Sequence, residues 1–160
     1  MVISEFDSSC INKAIKLALE AEQKKNLPIG TVISFKKKII AEGKNSIWFP
    51  KISLSRHAEM EALRVVPEGL WEYSRDMTLC TTLEPCLMCL GAILLHQIGR
   101  VIFGSTDSFG GAGTVIGHMP TYFEEQFSKI EWIGPASPEE CDPLFARIKS
   151  LERRRNLGIT

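Results

Sequence analysis

Two cysteines stand three positions apart in the segment Leu83–Cys89, LEPCLMC, where a predicted strand ends and an apolar helix begins. Cysteines at positions i and i+3 in the first turn of a helix lie on one side of it and can bind one metal ion. The same spacing also occurs in redox pairs, structural disulfides and closed zinc sites. Because each kind of site requires different residues nearby in space, this pair constrains the fold more than any other feature of the chain.

The chain of 160 residues has the length of one compact domain with a sizeable core, and we interpret residues 1–160 as a single domain. Lysine plus arginine and aspartate plus glutamate both number 19, so the formal charge is zero. A dedicated nucleic-acid-binding domain is typically basic. The balance of charge therefore argues against an extended phosphate-binding surface but leaves room for a local one.

Cysteine content and hydropathy indicate a cytoplasmic protein. The five cysteines are an odd number, and the N-terminal segment lacks the apolar core of a secretory signal. Reduced thiols are therefore expected rather than a disulfide framework, which weakens the disulfide interpretation of the cysteine pair. The longest apolar run, Leu87–Ile98, is too short to span a bilayer, and we expect no membrane association.

Hydrophobic periodicity predicts helices alternating with strands. A helix is expected over Asp7–Lys25, capped by Ser8 or Ser9, and a hairpin follows it over 28–45. The other predicted elements are a helix at 57–66, a strand at 77–83, an apolar helix at 86–98, strands at 100–105 and 129–134, and a final helix at 137–156. This order predicts an α/β fold, a three-layer α/β/α sandwich with a mixed sheet of about five strands.

His57 starts another predicted helix, and Glu59 follows two positions later. One imidazole and two thiolates would leave one position of a tetrahedral Zn²⁺ open, as in catalytic zinc sites. A helix N-terminus favours the thiolate form of Cys86 and Cys89. Glu59 could then exchange protons with water at the open position without itself binding the metal. The pattern H-x-E followed by P-C-x-x-C is the signature of zinc-dependent nucleobase deaminases.

Each of these residues, taken alone, has a more ordinary interpretation. A single histidine is usually a surface or core residue, and a single C-x-x-C pair is more often redox-active or structural. A closed structural zinc site would need a fourth ligand, for which Cys80 is the only close candidate. Its position in a predicted strand favours burial as a small apolar residue instead. Taken together, the two segments favour a catalytic zinc site.

With these residues in view, the chain resembles the cytidine/deoxycytidylate deaminase superfamily, in particular its branch of tRNA adenosine deaminases, guanine deaminases and fungal-type cytosine deaminase. The segments that carry the resemblance are LPIGTVIS, GKN, HAEMEAL, TLCTTLEPCLMCLGAIL and RVIFG. The resemblance implies a cytidine deaminase-like fold and a homodimer. It also implies a hydrolase in which zinc-bound hydroxide replaces an amino group and ammonia is released.

The resemblance also implies roles for individual residues. Zn²⁺ would be bound by His57, Cys86 and Cys89, and Glu59 would be the catalytic proton shuttle. The implied substrate contacts are Asn45, which would orient the base, the backbone N–H of Ala58, which would hold a carbonyl or ring nitrogen, and the backbone near Glu84, which would accept from the departing amino group.

Two features argue against tRNA as the substrate. The tRNA and guanine enzymes of this branch usually carry Asp-Pro-Thr-Ala before His-Ala-Glu, whereas this chain has SLSR at Ser53–Arg56. Arg56 would reshape the pocket rim, contact the substrate or pair with an acid. The segment 115–127 adds acids that would repel a polyanion and aromatic residues that are more often core or a pocket lid than a base-stacking surface. These are Tyr122, Phe123, Glu124, Glu125 and Phe127.

Two other features favour tRNA. The stretch RVIFGSTDSFGGAG resembles the corresponding part of the tRNA enzymes, and Asp107 within it is a candidate substrate contact, followed by glycines that suit a lid or an ordinary loop. Five basic residues and one acid within Arg147–Arg155 leave a net of four positive charges, which could hold phosphates or simply suit a helix end.

We favour a free nucleobase, nucleoside or related small-molecule amino-heterocycle as the substrate, because such a ligand needs only a small closed pocket. Conversion of the wobble adenosine of tRNA to inosine is the alternative. A non-catalytic, zinc-stabilised binding module is a more distant one, and Glu59 argues against it because a structural zinc site has no use for that carboxylate.

Overall fold

A computed structural model describes residues 3–156, with side chains described over 3–152. The strands are β1 (Gly30–Phe35), β2 (Lys38–Lys44), β3 (Thr78–Leu83), β4 (Arg100–Ser105) and β5 (Glu131–Ile133). The α-helices are α1 (Glu5–Gln23), α2 (Ala58–Arg64), α3 (Leu87–Leu95), α4 (Thr121–Phe127) and α5 (Pro138–Asn156). Two 3₁₀ helices span Glu68–Asp76 and Ala112–Val115.

The five strands form one mixed sheet in the order β2-β1-β3-β4-β5. β1 is antiparallel to β2 and β3, whereas β4 runs parallel to β3 and β5. Parallel neighbours need a crossover connection, and α3 provides it between β3 and β4. The predicted α/β fold with a mixed five-stranded sheet is therefore confirmed.

Alternate residues of the central strands face opposite helical layers. Val32 and Cys80 pack in one cluster with residues of α1 and α5, whereas Ile33 and Leu79 pack in another with residues of α2 and α3. Both faces of the sheet are therefore covered, which explains why the strands are apolar on both sides. This is the predicted three-layer α/β/α arrangement.

The first helix begins earlier than the sequence suggested. Ser4, rather than Ser8 or Ser9, is its cap: the Ser4 hydroxyl accepts a hydrogen bond from the Asp7 backbone N–H at 3.1 Å, and the Asp7 carboxylate accepts one from the Ser4 N–H at 2.9 Å. This reciprocal pair satisfies two backbone donors that the helix leaves unpaired. The cap assigned from the sequence was wrong because the acid three positions after Ser4 completes the pair.

The segment 115–127 contains α4, which the sequence pattern did not predict. Phe123 and Phe127 pack against a buried cluster that includes Leu90 and Leu94 of α3, whereas Tyr122 is exposed. Two of the three aromatic side chains are thus core residues. No helix in the described part of the chain combines the length and the hydropathy needed to cross a membrane.

A glycine allows α2 to lie close to the sheet. A Cβ atom added to Gly43 of β2 would overlap the carbonyl oxygen of Ala58 and the backbone nitrogen of Ala62. Both atoms belong to the backbone of α2 and cannot rotate away. Since α2 follows His57 and contains Glu59, the absence of a side chain at Gly43 positions both residues.

Gly43→Ala is expected to lower the free energy of unfolding by about 1–3 kcal/mol, because overpacking displaces α2. Urea denaturation of the metal-loaded protein measures the change. Gly69→Ala is the matched control, since a Cβ there meets no atom within 4 Å, and its effect should stay within about 0.5 kcal/mol. Equal stabilities for the two variants would contradict the account of Gly43.

Candidate metal centre and active site

The three predicted metal ligands meet at the N-termini of two helices. His57 is the residue before α2, Cys86 is the residue before α3, and Cys89 lies in the first turn of α3. The Nδ1 atom of His57 is 3.5 Å from the Sγ atom of Cys86 and 3.6 Å from that of Cys89. The three donor atoms all lie within 4.8 Å of one another.

These distances fit a tetrahedral zinc ion. Zn–S bonds of about 2.3 Å and Zn–N bonds of about 2.0–2.1 Å, at a tetrahedral angle, separate sulfur from nitrogen by about 3.6 Å. The two observed sulfur–nitrogen separations match that value. One nitrogen and two sulfur donors also form a set that zinc prefers. The donor types and the two sulfur–nitrogen distances of the His/Cys/Cys group therefore fit a zinc ion.

The charge states of the two thiols differ. The pKa of Cys86 is lowered to about 4, first by a hydrogen bond with Cys89 and then by one with His57, against the opposing effect of burial. The pKa of Cys89 is raised by its hydrogen bond with Cys86 and by burial. The hydrogen bond to Cys86 also raises the pKa of His57. The lowered pKa favours the thiolate form of Cys86, whereas the raised pKa of Cys89 means that metal binding competes with its proton.

Glu59 is buried beside these ligands. Glu59 is the second residue of α2 and is only 3% exposed. It lines the same cavity as His57 and Cys86. Burial raises the pKa of its carboxyl group. A carboxyl group with a raised pKa is suited to taking up and returning protons near neutral pH.

The cavity that contains this group has a volume of about 370 Å³. Its interior is lined by apolar residues such as Leu27, Ile29 and Ile47, and its mouth by residues from the loop after β4 and from α5. Among the predicted site residues, this cavity is lined by His57, Glu59, Glu84, Cys86 and Asp107.

Asn45 is not among the described residues that line this cavity, but its hydrogen-bond partners Leu27 and Ile47 are. It is 1% exposed, and its Oδ1 atom accepts hydrogen bonds from the backbone N–H groups of Leu27 and Ile47, at 3.3 and 3.4 Å. Its Nδ2 atom has no partner among the described residues. A buried donor without a partner is costly and rare. The predicted contact of Asn45 with a base would give this donor an acceptor.

Arg56 points elsewhere. Its Nη2 atom is 2.8 Å from the Oε2 atom of Glu61, and it lines a second cavity of about 530 Å³ together with Asn45 and Lys44. Arg56 is not among the described residues that line the cavity of His57 and Glu59. Of the roles considered for Arg56, pairing with an acid is the one that its contacts support. Sequence spacing could not identify Glu61 as that partner.

Ala58 and Glu84 occupy the two segments that carry the ligands. Ala58 is fully buried as the first residue of α2. The backbone N–H of Glu84 donates to the Ser105 carbonyl at 2.8 Å, which extends the pairing of β3 with β4. The Glu84 carboxylate, which sequence reasoning did not assign a role, accepts from the N–H groups of Asp107 and Gly113 at 3.0 and 2.9 Å. The only feature of the sequence that pointed to this role of Glu84 was the glycine-rich composition of the loop after β4.

Comparison with known proteins agrees with the site. The family described as "Cytidine and deoxycytidylate deaminase zinc-binding region" matches residues 4–105. The tRNA-specific adenosine deaminase of Bacillus subtilis (strain 168) is 35% identical over 164 residues, covering 95% of this chain and 98% of the relative. The tRNA-specific adenosine deaminase of Haemophilus influenzae is 38% identical over 144 residues, covering 88% of this chain and 81% of the relative.

Solved structures give the same fold. A structure from a study of A-to-I editing by tRNA:A34 deaminases has a TM-score of 0.67 and 26% identity, covering 86% of this chain and 99% of that one. The guanine deaminase of Nitrosomonas europaea has a TM-score of 0.64 at 17% identity over 94% of this chain and 86% of that one, a likeness of fold alone. The family match, these relatives and the clustered His/Cys/Cys group lead to one conclusion: the chain belongs to the cytidine and deoxycytidylate deaminase superfamily of zinc-dependent hydrolases, in the branch that holds tRNA adenosine deaminases.

Proposed function

We propose that this deaminase acts on tRNA and converts the wobble adenosine to inosine with release of ammonia. The observation that carries the substrate is the tRNA-specific adenosine deaminase of Bacillus subtilis, which is similar along almost the whole of both chains. This reverses the preference for a small amino-heterocycle that the sequence suggested. A free purine remains the second candidate, supported by a likeness of fold to a guanine deaminase.

The structure gives local explanations for some of the sequence features that argued against tRNA. Arg56 pairs with Glu61 and does not enter the cavity of Glu59. Phe123 and Phe127 are committed to packing. The carboxylate of Glu124 accepts a hydrogen bond from the Met119 N–H at 2.8 Å, so its position is explained by local structure.

The basic C-terminal segment gives only partial support. Arg147 forms two hydrogen bonds with the Glu22 carboxylate, at 2.7 and 3.0 Å, so its charge is already paired. Lys149 lines the candidate active site. The side chains of Arg153, Arg154 and Arg155 lie outside those that the structure describes. Lys149 is therefore the described cation of this segment that is placed to meet a phosphate at the cavity mouth.

The roles of the site residues follow from their positions. His57, Cys86 and Cys89 would hold the zinc ion, which when bound supplies Lewis-acid chemistry that makes water nucleophilic at neutral pH. Glu59 would take a proton from that water onto a carboxylate oxygen and return it to the ring nitrogen or to the departing amino group. A C6–O bond forms, the C6–N bond breaks and ammonia leaves, so water and adenine yield hypoxanthine and ammonia.

The substrate contacts follow the same logic. The Asn45 Nδ2 group would donate to an acceptor on the base, which satisfies its buried donor. The backbone near Ala58 and Glu84, and the Asp107 side chain at the mouth, would complete the contacts that the family resemblance implies. Action on tRNA also agrees with the cytoplasmic location expected from the sequence.

The substrate proposal is tested by measuring ammonia release and inosine formation with purified protein. The panel is an anticodon stem-loop with adenosine at the wobble position, the same stem-loop with guanosine there, and free adenosine, adenine, guanine and cytosine. Turnover is expected with the adenosine stem-loop and not with the guanosine control. Turnover of free guanine or cytosine but not of the stem-loop would contradict the proposal.

Glu59→Gln is expected to retain about one zinc ion per chain while losing roughly 10²- to 10⁴-fold in turnover, because the amide preserves shape but cannot accept the proton. Metal analysis and inosine formation measure the two properties. Glu61→Gln is the matched control in the same helix, since Glu61 pairs with Arg56 and does not line the active-site cavity. Retained turnover in Glu59→Gln would remove the proton-shuttle role.

We also propose a homodimer. Leu87, Gly91 and Leu95 are spaced four apart on α3 and therefore share one face of the helix. Leu87 and Leu95 are 60% and 59% exposed, and Met88 beside them is 39% exposed. A Cβ added at Gly91 meets no atom within 4 Å, so a second helix could approach closely. Such an exposed apolar face is typical of an interface between subunits.

Light scattering during size-exclusion chromatography is expected to give twice the chain mass of 17.9 kDa. Leu95→Asp should shift the mass toward that of one chain, because a buried unpaired carboxylate opposes association. Leu19→Asp on α1, where the leucine is 41% exposed, is the matched control and should stay dimeric. A wild-type mass of a single chain would reject the dimer.

A further inference from the structure

The side chain of Phe109 projects from the protein beside the active site. It is 94% exposed, the highest value among the large apolar side chains that are exposed in the described part of the chain. An isolated exposed apolar residue is common and needs no explanation by itself. What distinguishes Phe109 is the backbone that carries it and the cavity that it lines.

The backbone around Phe109 is held in one conformation. The Asp107 carboxylate accepts hydrogen bonds from the N–H groups of Phe109 and Gly110, both at 2.9 Å. The Glu84 carboxylate accepts from Asp107 and Gly113, one oxygen for each. The remaining amides of residues 111 and 112 donate to the carbonyl groups of Asp107 and Pro85. We call residues 107–113 the clasped loop.

The glycines of the clasped loop make room for its anchor. A Cβ atom added at Gly111 would lie 2.5 Å from the Oε2 atom of Glu84, and one added at Gly113 would overlap Oε1. The glycine-rich sequence is thus required by the approach of the carboxylate. The loop is fixed to the segment that carries Cys86, so Phe109 has a defined position relative to the metal centre.

Phe109 shares its cavity with the catalytic group. The cavity of about 370 Å³ that contains His57 and Glu59 is also lined by Phe109, Phe145 and Lys149. The ammonium group of Lys149 lies 4.8 Å from the centre of the Phe145 ring. The exposed residues that line the cavity therefore include an aromatic ring, the cation of Lys149 and the acid Glu152, whereas Glu59 is buried inside it.

We propose that Phe109 stacks on the nucleobase next to the target adenine in a single-stranded RNA loop; this inference rests on the proposed action on RNA. A base that enters a buried site must leave its stack, which exposes the face of its neighbour. An aromatic side chain fixed at the mouth replaces the lost stacking partner, in the way that proteins commonly hold unpaired RNA bases. Lys149 is placed to meet the adjoining phosphate.

A second copy of this chain is the competing occupant of Phe109. The apolar residues proposed for the dimer lie on the exposed face of α3, whereas the clasped loop contacts the buried residues Leu90 and Leu94 of that helix through Ala112. The ring of Phe109 instead adjoins the cavity that the substrate must enter. These placements favour RNA over a subunit contact, and the oligomeric mass of the variant decides between them.

The test compares Phe109→Ala, Phe109→Trp and wild type on the adenosine anticodon stem-loop. Phe109→Ala is expected to raise KM roughly 5- to 150-fold with kcat little changed, since stacking contributes to binding and not to the chemical step. Phe109→Trp should restore the wild-type KM. Tyr122→Ala, which removes another exposed aromatic ring, is the matched control and should leave KM unchanged.

A spectroscopic readout identifies the contact itself. Stem-loops with 2-aminopurine on either side of the target adenosine are mixed with each protein. Stacking on an aromatic ring quenches this fluorophore, so wild type and Phe109→Trp should quench it at one of the two positions and Phe109→Ala should not. Equal quenching by wild type and Phe109→Ala would overturn the inference.

Glu84→Gln tests whether the anchor positions Phe109. One carboxylate oxygen is replaced by an amide NH₂ group, which donates and cannot accept, so one of the two backbone N–H groups of the clasped loop loses its acceptor. Faster hydrogen exchange at 107–113 and a raised KM for the stem-loop are expected, with zinc content retained. Glu139→Gln in the exposed first turn of α5 is the control. Unchanged exchange and KM in Glu84→Gln would show that the carboxylate does not position the loop.

The outcomes separate this inference from the proposed function. Turnover of the stem-loop by wild type with an unchanged KM in Phe109→Ala supports the function and overturns the stacking role. A change from dimer to monomer in Phe109→Ala also overturns it, in favour of a subunit contact. Absence of both turnover and binding with the stem-loop overturns the two proposals together.

Discussion

The N-termini of α2 and α3 converge beside the end of β3, and the chemistry of the protein depends on that convergence. One helix starts after His57 and the other after Cys86, so unpaired backbone N–H groups and the positive ends of both helix dipoles face the same small volume. Hydrogen bonds with Cys89 and His57 lower the pKa of Cys86 in this volume, whereas burial raises the pKa of Glu59 there. The fold therefore assembles an electropositive environment from backbone alone and then places thiolate and carboxylate side chains in it.

The sheet holds the two helices in that relation. Gly43 lets α2 lie against β2, and the parallel pairing of β3 with β4 fixes the strand from which α3 departs. The metal centre is consequently held by two helices, α2 and α3. Both helices pack against the sheet in the cluster that contains Ile33 and Ile93. A shift of either helix would separate the imidazole from the thiols, so packing and metal binding stabilise the same arrangement.

The sequence predicted the His57, Cys86 and Cys89 group well because these residues derive their geometry from local rules for helix starts. The sheet followed from the alternation of helical and strand patterns. The roles of Arg56 and of the aromatic residues of α4 were harder to predict, because they depend on partners that periodicity does not identify. The carboxylate of Glu84 was missed for the same reason: its partners lie 23 and 29 positions away in the chain. The preference for a small substrate was reversed because similarity to a tRNA-specific deaminase supports the alternative. The features weighed against tRNA were ones whose contacts only tertiary structure supplies.

The hydrogen bonds of Glu84 have a consequence for how such an enzyme can change. Its carboxylate holds the loop through backbone N–H groups, which every residue type except proline possesses. Side chains at positions 108 and 109 can therefore be exchanged without loosening the loop or disturbing Cys86. The proposed recognition at the mouth and the chemistry at the metal centre are in this sense separable, so new specificities can be sampled around unchanged metal ligands.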